Sequence, residues 1–167
     1  DADKLSWVNE QYIQSTPPEE LAQHLEPHLV KTGILTGDHG LSPQEIAKVI
    51  PCLNQRAKTL VEMAEKSAFF FKKEVEFDEK ARNKFLTEDA RPLLEKVIAG
   101  FSTLDNFSAE NIETLFKKIV EEEGMKLGKL AQPIRVALTG TTVSPGIYDV
   151  ILLLGKEETL KRLQNVV

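Results

Sequence analysis

The stretch Lys126–Leu163, KLGKLAQPIRVALTGTTVSPGIYDVILLLGKEETLKRL, decides the fold. It has no sustained apolar/polar alternation and no Asn-Gly turn, so nothing in it calls for a strand. Its apolar residues fall at helical spacing, and glycines punctuate them. Lys129–Leu138 reads as one helix, with Pro133 near its first turn and Gly140 after its end. Ser144-Pro145-Gly146 starts the next, which carries Ile147, Ile151 and Leu154 and stops at Gly155. A last helix, Lys156–Val166, carries Leu160 and Leu163.

The same punctuation extends toward the N-terminus. Asp3 precedes a helix with Leu5, Val8 and Tyr12 on one face, and Trp7 is expected to pack between it and a neighbour. Thr16-Pro17-Pro18-Glu19 has the pattern of a capping box with proline at the first helical position. The helix it opens carries Leu21, Leu25 and Leu29, is expected to kink or split at Pro27, and stops at Gly33. Ser42-Pro43-Gln44-Glu45 is a second capping box, before Ile46, Val49 and Ile50. Pro51 then breaks that helix or begins another. Leu53, Leu60 and Ala64 suggest a helical face running into Phe69-Phe70-Phe71, which is expected to pack in the core. Asp78 and Thr87 have the character of N-caps. Leu94, Val97, Ile98 and Phe101 mark a further helix. Phe107-Ser108 starts one more, with Ser108 as cap and Phe107 stapled onto Ile112, running to Gly124. The expected fold is all-α, with nine or ten short helices in two small subdomains, 1–90 and 91–167.

Hydrophobic residues make up 41% and charged residues 28% of the 167 residues, the balance of a folded globular chain. No apolar run approaches the roughly 18 residues of a membrane span. The opening DADKLSWVNE is no secretory leader, and a start at Asp1 rather than at Met suggests a piece of a longer chain. Cys52 is the only cysteine, so no internal disulfide or CxxC zinc pair is possible, and a cytoplasmic location is expected. The net charge of −5 argues against coating nucleic acid by bulk charge, though most of the acidic excess falls before residue 92. There is no Gly-rich phosphate loop, no GxSxG and no HExxH, so no catalytic residue is assigned. His24 and His28 lie one turn apart, but a solvated helix face explains them better than a metal site, and no metal is expected.

Gly128-Lys129, Gln132-Pro133-Ile134-Arg135, Ala137-Leu138-Thr139-Gly140, Ser144-Pro145-Gly146 and Leu154-Gly155-Lys156 together closely resemble the C-terminal signature of bacterial glutamyl-tRNA synthetases. Lys4–Asn9 with Tyr12-Ile13 is similar to that family's segment beyond its KMSKS region. Gln55–Leu60 resembles its middle helix. The resemblance runs in order along almost the whole chain. It implies an all-helical pair of subdomains that grips the anticodon loop of tRNA(Glu), in a ligase that joins glutamate to its tRNA with ATP and Mg. The HIGH and KMSKS motifs of the catalytic domain are absent here, so this chain alone is expected to be inactive and to hold no cofactor.

By the same resemblance, Gln132 and Arg135 correspond to residues at the first anticodon base and its neighbour. Ser144, Pro145 and Ile147, with Gly146 between them, correspond to the loop and helix start around the second and third bases. Arg56 corresponds to the arginine that tests the third base, which leans toward an enzyme charging only glutamate tRNA. Read from the residues, a helix start at Ser144-Pro145-Gly146 offers free backbone N–H groups, and Gly146 leaves room for a nucleotide. Lys126, Lys129 and Lys156, with Lys161 and Arg162, are candidates to neutralise phosphates. A monomer that binds neither DNA nor membrane is expected. Two other readings fit the helices: a helix-turn-helix DNA binder, disfavoured by the acidic charge and the lack of a basic recognition helix, and a protein-interaction scaffold.

Overall fold

The computed structural model describes residues 2–167, without the side chains of Ala2, Asp3, Ser6 and Trp7. The cap expected at Asp3 and the packing expected of Trp7 therefore lie outside the described residues. Ten α-helices and no strand occur among the described residues. They belong to two compact units, Asp1–Lys73 and Glu74–Val167.

The first unit holds α1 (Ala2–Ser15), α2 (Pro18–Lys31), α3 (Pro43–Ala47), α4 (Leu60–Lys66) and α5 (Ala68–Phe71). Its core is the face of α2 that buries Leu21, Ala22, Leu25 and Leu29 completely against α3 and α4. That packing carries α2 unbroken through Pro27. Pro27 is exposed, so the carbonyl that loses its helical donor can turn to water. Thr16 does not cap α2: its hydroxyl donates to the Tyr12 carbonyl at the end of α1, where orphan carbonyls need donors. The cap at Ser42 does form, with Ser42 Oγ accepting from the Glu45 N–H at 3.2 Å. On α1, Leu5, Val8 and Tyr12 are exposed, and among its described side chains Ile13 is buried. Phe69, Phe70 and Phe71 are half-buried rather than in the core.

Gln55-Arg56 is not helical. It forms a turn after a 3-10 turn at Ile50–Cys52, and α4 begins only at Leu60. Thr59 adopts extended backbone (φ −134°, ψ 161°) and accepts from the Glu62 N–H, so a helix cannot continue backward through it.

The second unit holds α6 (Glu79–Phe85), α7 (Arg91–Thr103), α8 (Ala109–Glu123), α9 (Leu127–Thr139) and α10 (Ile147–Gln164). Asp78 caps α6, Thr87 caps the 3-10 turn before α7, and Ser108 caps α8, as their sequence positions suggest. The apolar helix α9 buries Leu130, Ala131, Ile134, Val136, Ala137 and Leu138, and the other four helices of the unit pack on it. Phe101 stacks with Phe116 at 6.1 Å between ring centres, and Phe107 meets Phe101 edge-on at 5.3 Å. Gly155, with φ 79° and ψ 170°, interrupts α10, so two helical pieces meet there as the sequence suggests.

The units divide at Lys73/Glu74, seventeen residues before the division read from the sequence near residue 90. Long-range contacts tie this segment to α9: α6 packs on it, and the Asp78 N–H donates to the Gly140 carbonyl at 2.8 Å. The approach is tight. Gly140 has φ 81°, and a Cβ added to it would lie 1.9 Å from the Glu76 carbonyl oxygen, so only glycine fits.

Candidate nucleic-acid interface

Helix α9 starts at Leu127, two residues earlier than its sequence suggests, so Pro133 lies in its interior and is buried. Its missing N–H leaves the carbonyl of the exposed Lys129 to solvent. The other face of α9 carries Gln132, Arg135 and Thr139, all half-buried. Gln132 and Arg135 are one turn apart and meet: Arg135 Nη1 donates to Gln132 Oε1 at 2.9 Å.

The loop after α9 closes on the same arginine. Arg135 Nε donates to Ser144 Oγ at 2.8 Å, and the Ser144 hydroxyl donates to the Pro145 carbonyl at 2.7 Å. Ser144 is therefore not a helix cap. The N-cap of α10 is Gly146, with no side-chain capping bond. A second chain of bonds fixes the loop from its other end. The Thr139 hydroxyl donates to the Arg135 carbonyl at 2.8 Å, the Thr141 N–H donates to Thr139 Oγ1 at 3.3 Å, and the Thr141 hydroxyl donates to the Val143 carbonyl at 2.8 Å. The sequence reading missed this relay. The hydroxyl-rich run Thr139-Gly140-Thr141-Thr142 was its signal, because Ser and Thr hydroxyls compete for backbone groups in turns.

Pro145 is buried and Ile147 only 6% exposed, so both support the loop from beneath. Gly146 is half-buried with ordinary φ −50°, and a Cβ there would meet only Asp149 Oδ2, at 3.4 Å. The fold itself thus does not require glycine at 146. Asp149, in the first turn of α10, already faces the positive helix end and opposes a phosphate there. Burial, with Glu113 nearby, raises the pKa of Tyr148, so its phenol stays protonated beyond the usual range.

The candidate phosphate contacts separate into two groups. Lys126, the N-cap residue of α9, and Lys129 in its first turn are exposed. No acidic residue shares that turn, and two lysines at a positive helix end repel it unless an anion is near. Lys156 instead donates to the Leu104 carbonyl at 2.7 Å, where α7 ends, the favourable end for a cation. Arg162 is 4% exposed. It donates to Glu158 Oε1 at 2.9 Å and to the Leu138 carbonyl at 2.7 Å, so it locks α10 to the end of α9 rather than reaching a phosphate. Lys161 is exposed.

Arg56 belongs to the first unit and is exposed in its turn. Lys66 Nζ donates to the Arg56 carbonyl and pairs with Glu62 at 2.9 Å. Glu62 also accepts from the Lys58 N–H at 3.2 Å. The bond to Lys66, then the one to Lys58, hold the Glu62 pKa below its usual value. Among the described residues no group of three His, Cys, Asp or Glu side chains could hold a metal ion. Among them, no helix is long and apolar enough to cross a membrane.

The chain is similar in sequence and in fold to known proteins. The chain is 45% identical over 163 residues to a glutamate–tRNA ligase of Syntrophobacter fumaroxidans, covering 98% of this chain and 34% of that protein. It is 42% identical over 166 residues to a glutamate–tRNA ligase of Thermodesulfovibrio yellowstonii, covering 99% and 36%. The chain thus spans about a third of the length of these relatives. A crystal structure of a glutamate tRNA ligase from Elizabethkingia meningosepticum, in complex with its amino acid, superposes with a TM-score of 0.83 at 28% identity. That match covers 99% of this chain and 32% of the other. The anticodon binding domain family matches residues 20–167, and the chain belongs to that family.

Proposed function

We propose that this chain is the part of a glutamate–tRNA ligase that reads the anticodon of tRNA(Glu). Amino-acid activation with ATP and Mg belongs to a catalytic domain this chain lacks, and the chain by itself charges no tRNA. The observation that carries the reading is the Arg135 guanidinium, held between Gln132 Oε1 and Ser144 Oγ on the half-buried face of α9. An arginine has five N–H donors and no acceptor. Held in one pose, it loses little freedom when a base docks.

Anticodon bases splayed from their loop expose their pairing edges. The cytosine edge offers acceptors at O2 and N3, and the guanine edge places donors at N1 and N2. A donor surface therefore suits C and opposes G, and one mispaired buried contact costs about 1–3 kcal/mol. Gln132 and Arg135 take the first anticodon base and its neighbour, and Ser144 through Ile147 frame the second and third. Arg56 tests the third base, and Lys126 and Lys129 neutralise phosphates. Residues 74–167 form the C-terminal anticodon subdomain and residues 1–73 the other. The protein works as a cytoplasmic monomer, with tRNA and not DNA as partner.

Titration of anticodon stem-loops tests this. A C-U-C loop binds at least about tenfold more tightly than C-U-G, the scale of one buried mismatch; Arg56→Ala abolishes that third-base difference, and Arg135→Ala, with folding intact, loses binding to both loops. Equal affinity for both loops, or for an unrelated tRNA at moderate salt, refutes it.

A further inference from the structure

Val143 is the most exposed of the large apolar side chains on the described chain, at 77%. A lone surface valine usually needs no explanation, but this one is held in place. Its carbonyl is fastened by the Thr141 hydroxyl, through Thr139, back to the Arg135 carbonyl. The next residue, Ser144, is fastened to the Arg135 side chain. Two routes thus tie the valine's position to the arginine's. β-Branching leaves its side chain few rotamers.

We infer that Val143 is a specificity-determining contact for RNA: it packs against the face of an anticodon base whose edge meets the Arg135 donors. This rests on the anticodon reading above. A base pulled from its stack exposes two apolar faces to water, and covering one costs little when the covering group is already ordered. Donors alone fix the edge of a base but leave its faces wet, and water there weakens each polar contact. An aliphatic platform beside a fixed guanidinium supplies the missing half. The occupant is a single unstacked base, because the surface offered is one side chain.

The test is a double-mutant cycle with this chain and the C-U-C stem-loop. Val143→Ala weakens binding about threefold to tenfold, the scale of one partly buried aliphatic side chain, while Val143→Ile retains it. An abasic site at one of the three anticodon positions removes the difference between Val143→Ala and wild type, and abasic sites at the other two leave it. A purely structural role would show as a fall in melting temperature and an equal loss against all three abasic loops, and that pattern overturns the inference. So does wild-type affinity in Val143→Ala. If Arg135→Ala loses binding while Val143→Ala does not, only the role of Val143 fails. If the wild-type chain ignores the stem-loop, both readings fall.

Discussion

Arg135 Nε lies 2.8 Å from Ser144 Oγ, so the side chain best suited to meet a base is fastened to the loop that follows its own helix. The two are nine positions apart, and the loop between them is braced at Thr139 and Thr141. This arrangement shapes what substitutions here should do.

Ser144→Ala removes one of the acceptors that fix the guanidinium. Affinity for the C-U-C stem-loop should fall about fivefold to tenfold, the value of one hydrogen bond near 1 kcal/mol. Melting temperature should hardly move, since Ser144 is half-exposed and caps no helix. Fluorescence anisotropy on both proteins measures the first, and an unchanged dissociation constant would remove Ser144 from the site.

Two glycines near the interface should behave oppositely. Gly140→Ala forces a Cβ at φ 81° to within 1.9 Å of the Glu76 carbonyl oxygen. The cost should be at least about 2 kcal/mol, roughly 8 °C in melting temperature for a unit of this size. Gly146→Ala meets only Asp149 Oδ2 at 3.4 Å, and should leave stability intact while weakening stem-loop binding. Thermal melts of the two variants distinguish a fold glycine from a binding glycine.

Arg162→Met leaves the Leu138 carbonyl without its buried donor and Glu158 without its partner. Urea unfolding should show a loss of roughly 2–4 kcal/mol. The salt dependence of RNA binding should stay as in wild type. Lys126→Ala and Lys129→Ala should do the reverse, keeping stability and lowering the slope of log affinity against log salt by about 0.7–0.9 each. A changed slope for Arg162→Met would return it to the phosphate contacts.

Glu62 links the turn that carries Arg56 to acid. Its pKa is lowered in the folded state by Lys66 and the Lys58 N–H. The stabilisation is therefore complete above the unfolded carboxylate value, near 4.5, and is lost as pH falls through the lower folded value. Glu62→Gln should be less stable than wild type at neutral pH and converge with it in stronger acid. Melting temperatures of both proteins across the acid range check this, and parallel curves would show that the pair contributes nothing.

Local signals were legible wherever a bond is made within one turn. Ser42, Asp78 and Ser108 cap their helices because hydroxyl or carboxylate, extended cap backbone and free N–H all lie within four residues. Gly155 breaks α10 for an equally local reason, its φ of 79°. The misreadings are instructive in the same terms. Thr16 has the cap pattern, but α1 ends beside it and takes its hydroxyl. Pro27 should disturb α2, but four fully buried side chains on one face hold the helix together. Gln55–Thr59 has helical composition, and the cap at Thr59 starts the helix after it.

The candidate site divides along the same line. The all-α class and most helix limits follow from the order of residues, because spacing and capping act over a few positions, whereas Gln132, Arg135 and Ser144 stand out only through the resemblance of their motifs to a known family. The assignment of bonds among them follows from neither. That Ser144 braces Arg135, that Lys156 caps α7, that Arg162 reaches the Leu138 carbonyl and that Glu76 crowds Gly140 are each contacts between residues 9 to 64 positions apart. Only packing of the helices decides which partner a side chain reaches, since every one of these donors had several acceptors open to it in the unfolded chain.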